Sequence, residues 1–220
     1  MTANDAQTVS LYPGWPLIVH ATITNSLRFN KTGNVPPLVI APIGAAWTSA
    51  IQVTAVDAFG QSFQWPLQLV GAPADASLML PSTSYVRFAL QMGPADVSLL
   101  APGIYQLMAT LQVSNSSGWN GTVQSTPVTI QIGPEPTLTP DLQFQKAMLI
   151  AEYQTNAGDL DGALSTVQQL LQAQPTNPLA MGAAANLLQL RGYPDLAFFE
   201  AGQALATYYQ GNPDLTEAPS

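Results

Sequence analysis

The chain has 220 residues, 47% of them apolar and only 8% Asp, Glu, Lys or Arg, with a formal charge of −8 at pH 7. That apolar share supplies a buried core and excludes general disorder, and the scattered basic residues Arg28, Lys31, Arg87, Lys146 and Arg191 form no patch for nucleic acid. No apolar run nears the roughly 20 residues that span a bilayer, and the absence of cysteine removes disulfides, thiol nucleophiles and Cys-ligated zinc.

The N-terminal MTANDAQTVS lacks the basic and apolar parts of a signal peptide and is read as a start that follows a removed signal or anchor, the alternative being a cytosolic start. Solubility rests on Gln, Asn, Ser and Thr rather than on charge, which leads to the expectation of an extracytoplasmic protein, whether periplasmic, secreted or cell-surface. From Thr8 to about Ile132 the apolar pattern has period two, which predicts a series of short strands. Leu17, Val19, Ala21 and Ile23 alternate with Ile18, His20, Thr22 and Thr24, the first set inward and the second outward. Further strands are expected at 50–56, 62–70, 85–92, 105–113 and 126–132, between segments rich in Gly, Pro, Asn and Ser.

Within LLAPGIYQLMATL a Pro-Gly turn delivers Tyr105 into an alternating strand. This resembles the corner of immunoglobulin-like and fibronectin type III-like sandwiches. The resemblance implies that the Tyr105 hydroxyl bonds back to nearby backbone and that 126–132 is the last strand. The family's cysteine pair is absent.

GPEPTLTP then breaks the pattern with three prolines. Beyond it, Leu160, Ala163, Leu164, Val167, Leu170 and Leu171 recur at helical spacing, and four helices are predicted near 141–156, 160–173, 178–190 and 195–209. GDLDGA, at 158–163, is echoed by GYPDLA at 192–197, so that Gly158, Asp161 and Ala163 recur at one fixed separation as Gly192, Asp195 and Ala197. This resembles the tetratricopeptide repeat, with Gly158 and Gly192 at the inter-helix turn, Ala163 and Ala197 at the helix crossing and Pro175 closing the unit. Leu170, Pro194 and Tyr209 depart from the family's alanine, aromatic and second closing proline. The fold expected is a two-domain, all-β plus all-α protein. An immunoglobulin-like antiparallel sandwich spans 1–133, a proline-rich linker 134–140, a four-helix tetratricopeptide-like array 141–210 and a tail 211–220.

The clustered acids of GDLDGAL raise the alternative of a calcium loop. Aligning Gly162 with the invariant glycine of an EF-hand puts Ala157 first, with no side-chain oxygen, and Gln168 twelfth, in place of the bidentate glutamate, so Asp159 and Asp161 are assigned to a helix N-terminus instead. His20, the only histidine, reads as a surface residue, and Asp57, Asp75 and Asp96 read as turn formers. No catalytic, metal or cofactor residue is assigned, and the chain is expected not to be an enzyme.

Three sequons, Asn30-Lys31-Thr32, Asn115-Ser116-Ser117 and Asn120-Gly121-Thr122, are read as loops. In tetratricopeptide proteins the first helix of each unit lines a groove, and the matching positions are Gln145, Met148, Glu152 and Thr155, then Leu179, Gly182, Asn186 and Gln189. The function expected is a scaffold that binds a peptide or partner protein there. The alternatives are a carbohydrate-binding accessory module, with Trp119 as a stacking platform, and the non-catalytic fragment of a larger enzyme. A homodimer through Phe198, Phe199, Leu205, Tyr208 and Tyr209 is a further possibility.

Overall fold

The computed structural model describes residues 1–4, 6–25, 37–114 and 118–211. The chain divides into two compact units, Met1–Glu135 and Pro136–Ser220, the first built of sheets and the second of helices.

The strands of the first unit are β1 (Thr2–Ala3), β2 (Thr8–Leu11), β3 (Leu17–Thr24), β4 (Leu38–Ile40), β5 (Ile51–Asp57), β6 (Ser62–Phe63), β7 (Gln68–Val70), β8 (Leu78–Leu80), β9 (Tyr85–Met92), β10 (Gly103–Val113), β11 (Gly121–Gln124) and β12 (Val128–Ile132). A short helix, α1 (Pro94–Val97), precedes β10. Among the described residues the order β1-β3-β9-β7 makes one sheet, β2-β12-β10-β5-β6 a second with β11 beside β10, and β4-β8 a third.

Where the alternation is long, the strands lie as the sequence predicts, since one face of β3, β9 and β10 supplies the core residues Leu17, Val19, Phe88, Leu90, Tyr105 and Leu107. Three features differ. The single strand expected over 62–70 is two strands, because Pro66 has no N–H to give a ladder and the chain leaves one sheet there for the other. Ile18, expected outward, is 0% exposed, so β3 is covered on both faces at its start. Finally, β2 runs parallel to β12, whereas an antiparallel sheet was expected; the two are far apart in sequence, so no hairpin dictates their direction.

The corner before β10 is made by local chemistry. The Tyr105 hydroxyl donates to the Ala101 carbonyl at 3.0 Å, and its ring meets Trp65 and Phe63 edge-on at 5.3 and 5.8 Å. Asp57 forms the turn between β5 and β6, its Oδ1 accepting from Phe59 N and Gln61 N. Trp15 and Trp47 are core residues whose indole N–H groups donate to Glu135 Oε1 at 2.8 Å and Pro73 O at 3.1 Å.

The second unit contains α2 (Pro140–Asn156), α3 (Leu160–Ala173), α4 (Pro178–Leu190) and α5 (Pro194–Gly211). Side-chain caps set three of the starts. Thr139 accepts from Leu142 N, Asp159 from Gly162 N, and Asn177 from both Leu179 N and Ala180 N. Proline fills the first position of α2 and α4, where its missing N–H costs nothing.

The turns that follow α2 and α4 are the same turn twice. After α2 the bonds are Ala157 N to Tyr153 O, Gly158 N to Thr155 O, Asp159 N to Gln154 O and Ala163 N to Asp159 O. After α4 each recurs at the equivalent position, as Arg191 N to Leu187 O, Gly192 N to Gln189 O, Tyr193 N to Leu188 O and Ala197 N to Tyr193 O. Gly158 and Gly192 hold φ of 81° and 84°, a conformation that penalises any side chain. An ion pair of 2.6 Å between Arg191 and Asp161 joins the C-terminal end of α4 to the N-terminal end of α3, as antiparallel neighbours require.

Gln91 is 1% exposed, and neither polar atom of its amide has a hydrogen-bond partner among the described residues. A buried amide left so costs about 1–3 kcal/mol. Gln91→Met keeps the shape and removes the cost, so chemical denaturation is expected to show a gain of about 1–2 kcal/mol. A loss of stability would mean that the amide is satisfied by water.

Candidate functional sites

Two concave surfaces stand out, one in each unit. The first is a cleft of about 320 Å³ in the β unit. Its walls are apolar, with Ile23 and Phe88 on one sheet and Ile51, Leu111 and Val123 on the other, and Thr24, Asn25, Gln124 and Ser125 add neutral polar groups.

Trp119 also lines this cleft. It follows β10 in a connection tied to β4, where Trp119 N donates to Val39 O at 2.7 Å and a side chain at Gly118 would collide with that same carbonyl. The indole lies against the backbone of Gly121, so close that a Cβ there would sit 2.7 Å from a ring carbon. Trp119 is therefore half-buried, with its ring held at the cleft by two glycines.

The second surface is a groove of about 420 Å³ between α4 and α5, lined by Gly182, Ala185, Asn186 and Gln189 of α4 and Pro194, Ala197, Phe198 and Ala201 of α5. None of these eight is charged. Beside it α5 turns large apolar side chains to solvent: Phe198 is 84% exposed, and Leu196, Phe199 and Leu205 are more than half exposed.

Of the groove residues expected from sequence, Gly182, Asn186 and Gln189 come together here. Leu179 is exposed at the start of α4, outside that lining. Gln145 is exposed on α2, while Met148, Glu152 and Thr155 are half-buried, and the Thr155 hydroxyl donates to Ala151 O within its own helix. The α5 half of the groove was not assigned as a groove wall; Phe198 was read as a dimer residue instead. The repeat period carried the missing signal, because the separation that takes Gly158 to Gly192 makes Ala197, Phe198 and Ala201 the counterparts of Ala163, Leu164 and Val167.

The acids of GDLDGAL serve the helix start: Asp159 caps α3 and Asp161 lies in its first turn, paired with Arg191. His20 is half-buried on β3, opposite Thr2 and Ala89. The sequons at Asn30 and Asn115 lie outside the described residues, whereas Asn120 donates to Gly118 O at 3.3 Å. Among the described residues no group of three or more His, Asp or Glu side chains is placed to hold a metal ion, and no helix is long and apolar enough to cross a membrane.

Gly121→Ala is expected to push the Trp119 ring out of place. In a proton–nitrogen NMR spectrum the Trp119 indole signal should shift while those of Trp15 and Trp47, which are hydrogen-bonded in the core, stay fixed. An unmoved Trp119 signal would mean that the ring is not seated on Gly121.

No protein-family model and no curated protein matches the chain. Among solved structures, one similar to it is a family 123 glycoside hydrolase from Clostridium perfringens, at 9% identity and a TM-score of 0.35, covering 62% of this chain and 24% of that one. Another is the E. coli chaperone DraB, at 11% identity and a TM-score of 0.31, covering 62% of this chain and 57% of that one. The chain thus spans about a quarter and just over half of the lengths of these two proteins. A glycoside hydrolase among these structures stands against the expectation that the chain is not an enzyme, and likeness at this level assigns no activity to the chain either.

Proposed function

We propose that the chain is an interaction module in which an immunoglobulin-like sandwich is joined to two tetratricopeptide-like repeats, and that the repeats hold a segment of another protein. The sandwich reading is supported by the Tyr105–Ala101 corner and by two main sheets with apolar inner residues. The repeat reading is supported by the doubled turn and by Ala163 and Ala197, both buried where neighbouring helices meet. The paucity of charge supports an extracytoplasmic setting.

The observation that carries the function is the uncharged groove between α4 and α5, flanked by the exposed Phe198, Phe199 and Leu205. Large apolar side chains grouped beside a concavity are where a partner gains most from being covered. Peptide display on the immobilised whole chain tests this. Selected binders are expected to lose about tenfold or more in affinity when Phe198 is changed to Asp. Binders indifferent to Phe198→Asp but weakened by Trp119→Ala would move the function to the β unit.

A second reading, carbohydrate binding in the β unit, is supported by the seated Trp119 ring beside Thr24, Asn25, Gln124 and Ser125, which are neutral groups suited to hydroxyls. Glycan-array binding that disappears in Trp119→Ala would establish it, and an empty array would remove it.

A further inference from the structure

The two repeat units are covered differently, and the difference specifies what the second one accepts. In the first repeat Ala151, Ala163, Leu164 and Val167 form a buried cluster with Ala180, Ala184 and Leu187 of α4. Moved along by one repeat, the first four become Ala185, Ala197, Phe198 and Ala201, all of which line the α4–α5 groove. Leu164 is 8% exposed, whereas its counterpart Phe198 is 84% exposed. The groove therefore continues an interface the chain already makes with itself, one unit further on, at the point where a helix like α4 would lie.

We propose that this groove receives an α-helix of a second protein, one that is uncharged on its docking face and carries residues of alanine size at positions i and i+4 and of leucine size at i+7. The proposal rests on the reading of the helical unit as an interaction surface and names the partner's chemistry. The spacing comes from the cover that the first repeat already has: Ala180, Ala184 and Leu187 are 0%, 3% and 3% exposed. At the first two positions a larger side chain would hold the incoming helix off the pair, as at any tight crossing. The docking face must be neutral because all eight lining residues are, and a charge buried among them would have no partner. Asn186 and Gln189 offer neutral hydrogen bonds to the partner. By analogy with α4 on α2 and α3, the helix runs parallel to α4 and antiparallel to α5.

A second copy of the chain does not meet these requirements. Its Ala180, Ala184 and Leu187 are already buried in its own core. The counterpart positions on α2, one repeat earlier, are Lys146, Ile150 and Tyr153, which are bulky or charged.

The test uses the full chain and a labelled peptide of residues 174–191, stapled through positions 182 and 186 so that it is helical and presents Ala180, Ala184 and Leu187. Fluorescence polarisation is expected to show saturable binding, weakened about tenfold or more by Phe198→Asp in the chain and likewise by Ala184→Glu in the peptide. Phe198 is exposed, so its replacement leaves the fold intact, and Ala201→Glu on the same face serves as an independent second variant. No binding up to about 1 mM, or binding indifferent to these substitutions, overturns the proposal. A concentration-dependent dimer that Phe198→Asp converts to monomer overturns it too, by giving the groove to a second copy. If peptide display yields extended, proline-rich binders that still need Phe198, the helix proposal fails while the broader interaction reading stands.

Discussion

A pair of packed helices has apolar side chains on more sides than the pair itself can cover, and the second unit is organised by that constraint. The pair α2–α3 completes its core only because α4 lies across it, with Ala151, Ala163 and Val167 meeting Ala180, Ala184 and Leu187. Alanine at these positions sets how closely the helices approach. The glycine turns and side-chain caps set where each helix stops and starts, so that the crossings fall in register. The same turn, used again after α4, produces a second pair with the same need, and among the described residues no helix answers it.

The β unit solves a different problem, that of satisfying backbone groups while the chain changes sheet. Pro66 marks one such change, and Trp65 beside it packs on the Tyr105 ring that also anchors the corner before β10. The Gly118–Gly121 connection shows how local sterics fix a candidate ligand-contacting side chain. One glycine lets the backbone meet Val39, and the other makes room for the indole of Trp119.

The helices were legible to within two residues because their signals are local. Thr139, Asp159 and Asn177 cap by reaching two or three residues ahead, and Gly158 and Gly192 end helices through their own φ. Long strands were legible through alternation. β1, β4, β8 and β11 were not, since two to four residues carry no period. Ile18 was misjudged for a related reason: alternation assumes that one face stays wet, and covering depends on the rest of the fold. The tetratricopeptide-like positions located Gly182, Asn186 and Gln189, but the groove they share with Phe198 depends on how α5 packs against α4 and on what covers the pair, which no local spacing states.

The central claim is that α5 closes on α4 yet, among the described residues, has no helix on its other side. Hydrogen exchange resolved along the full chain tests it most directly, because amide protection reports how well each helix is held by its neighbours. The account predicts that amides of α5 around Phe198 to Leu205 exchange about tenfold or more faster than those of α3 around Leu164 to Leu171. Equal protection of the two helices would contradict it, because α5 would then be covered as completely as its counterpart.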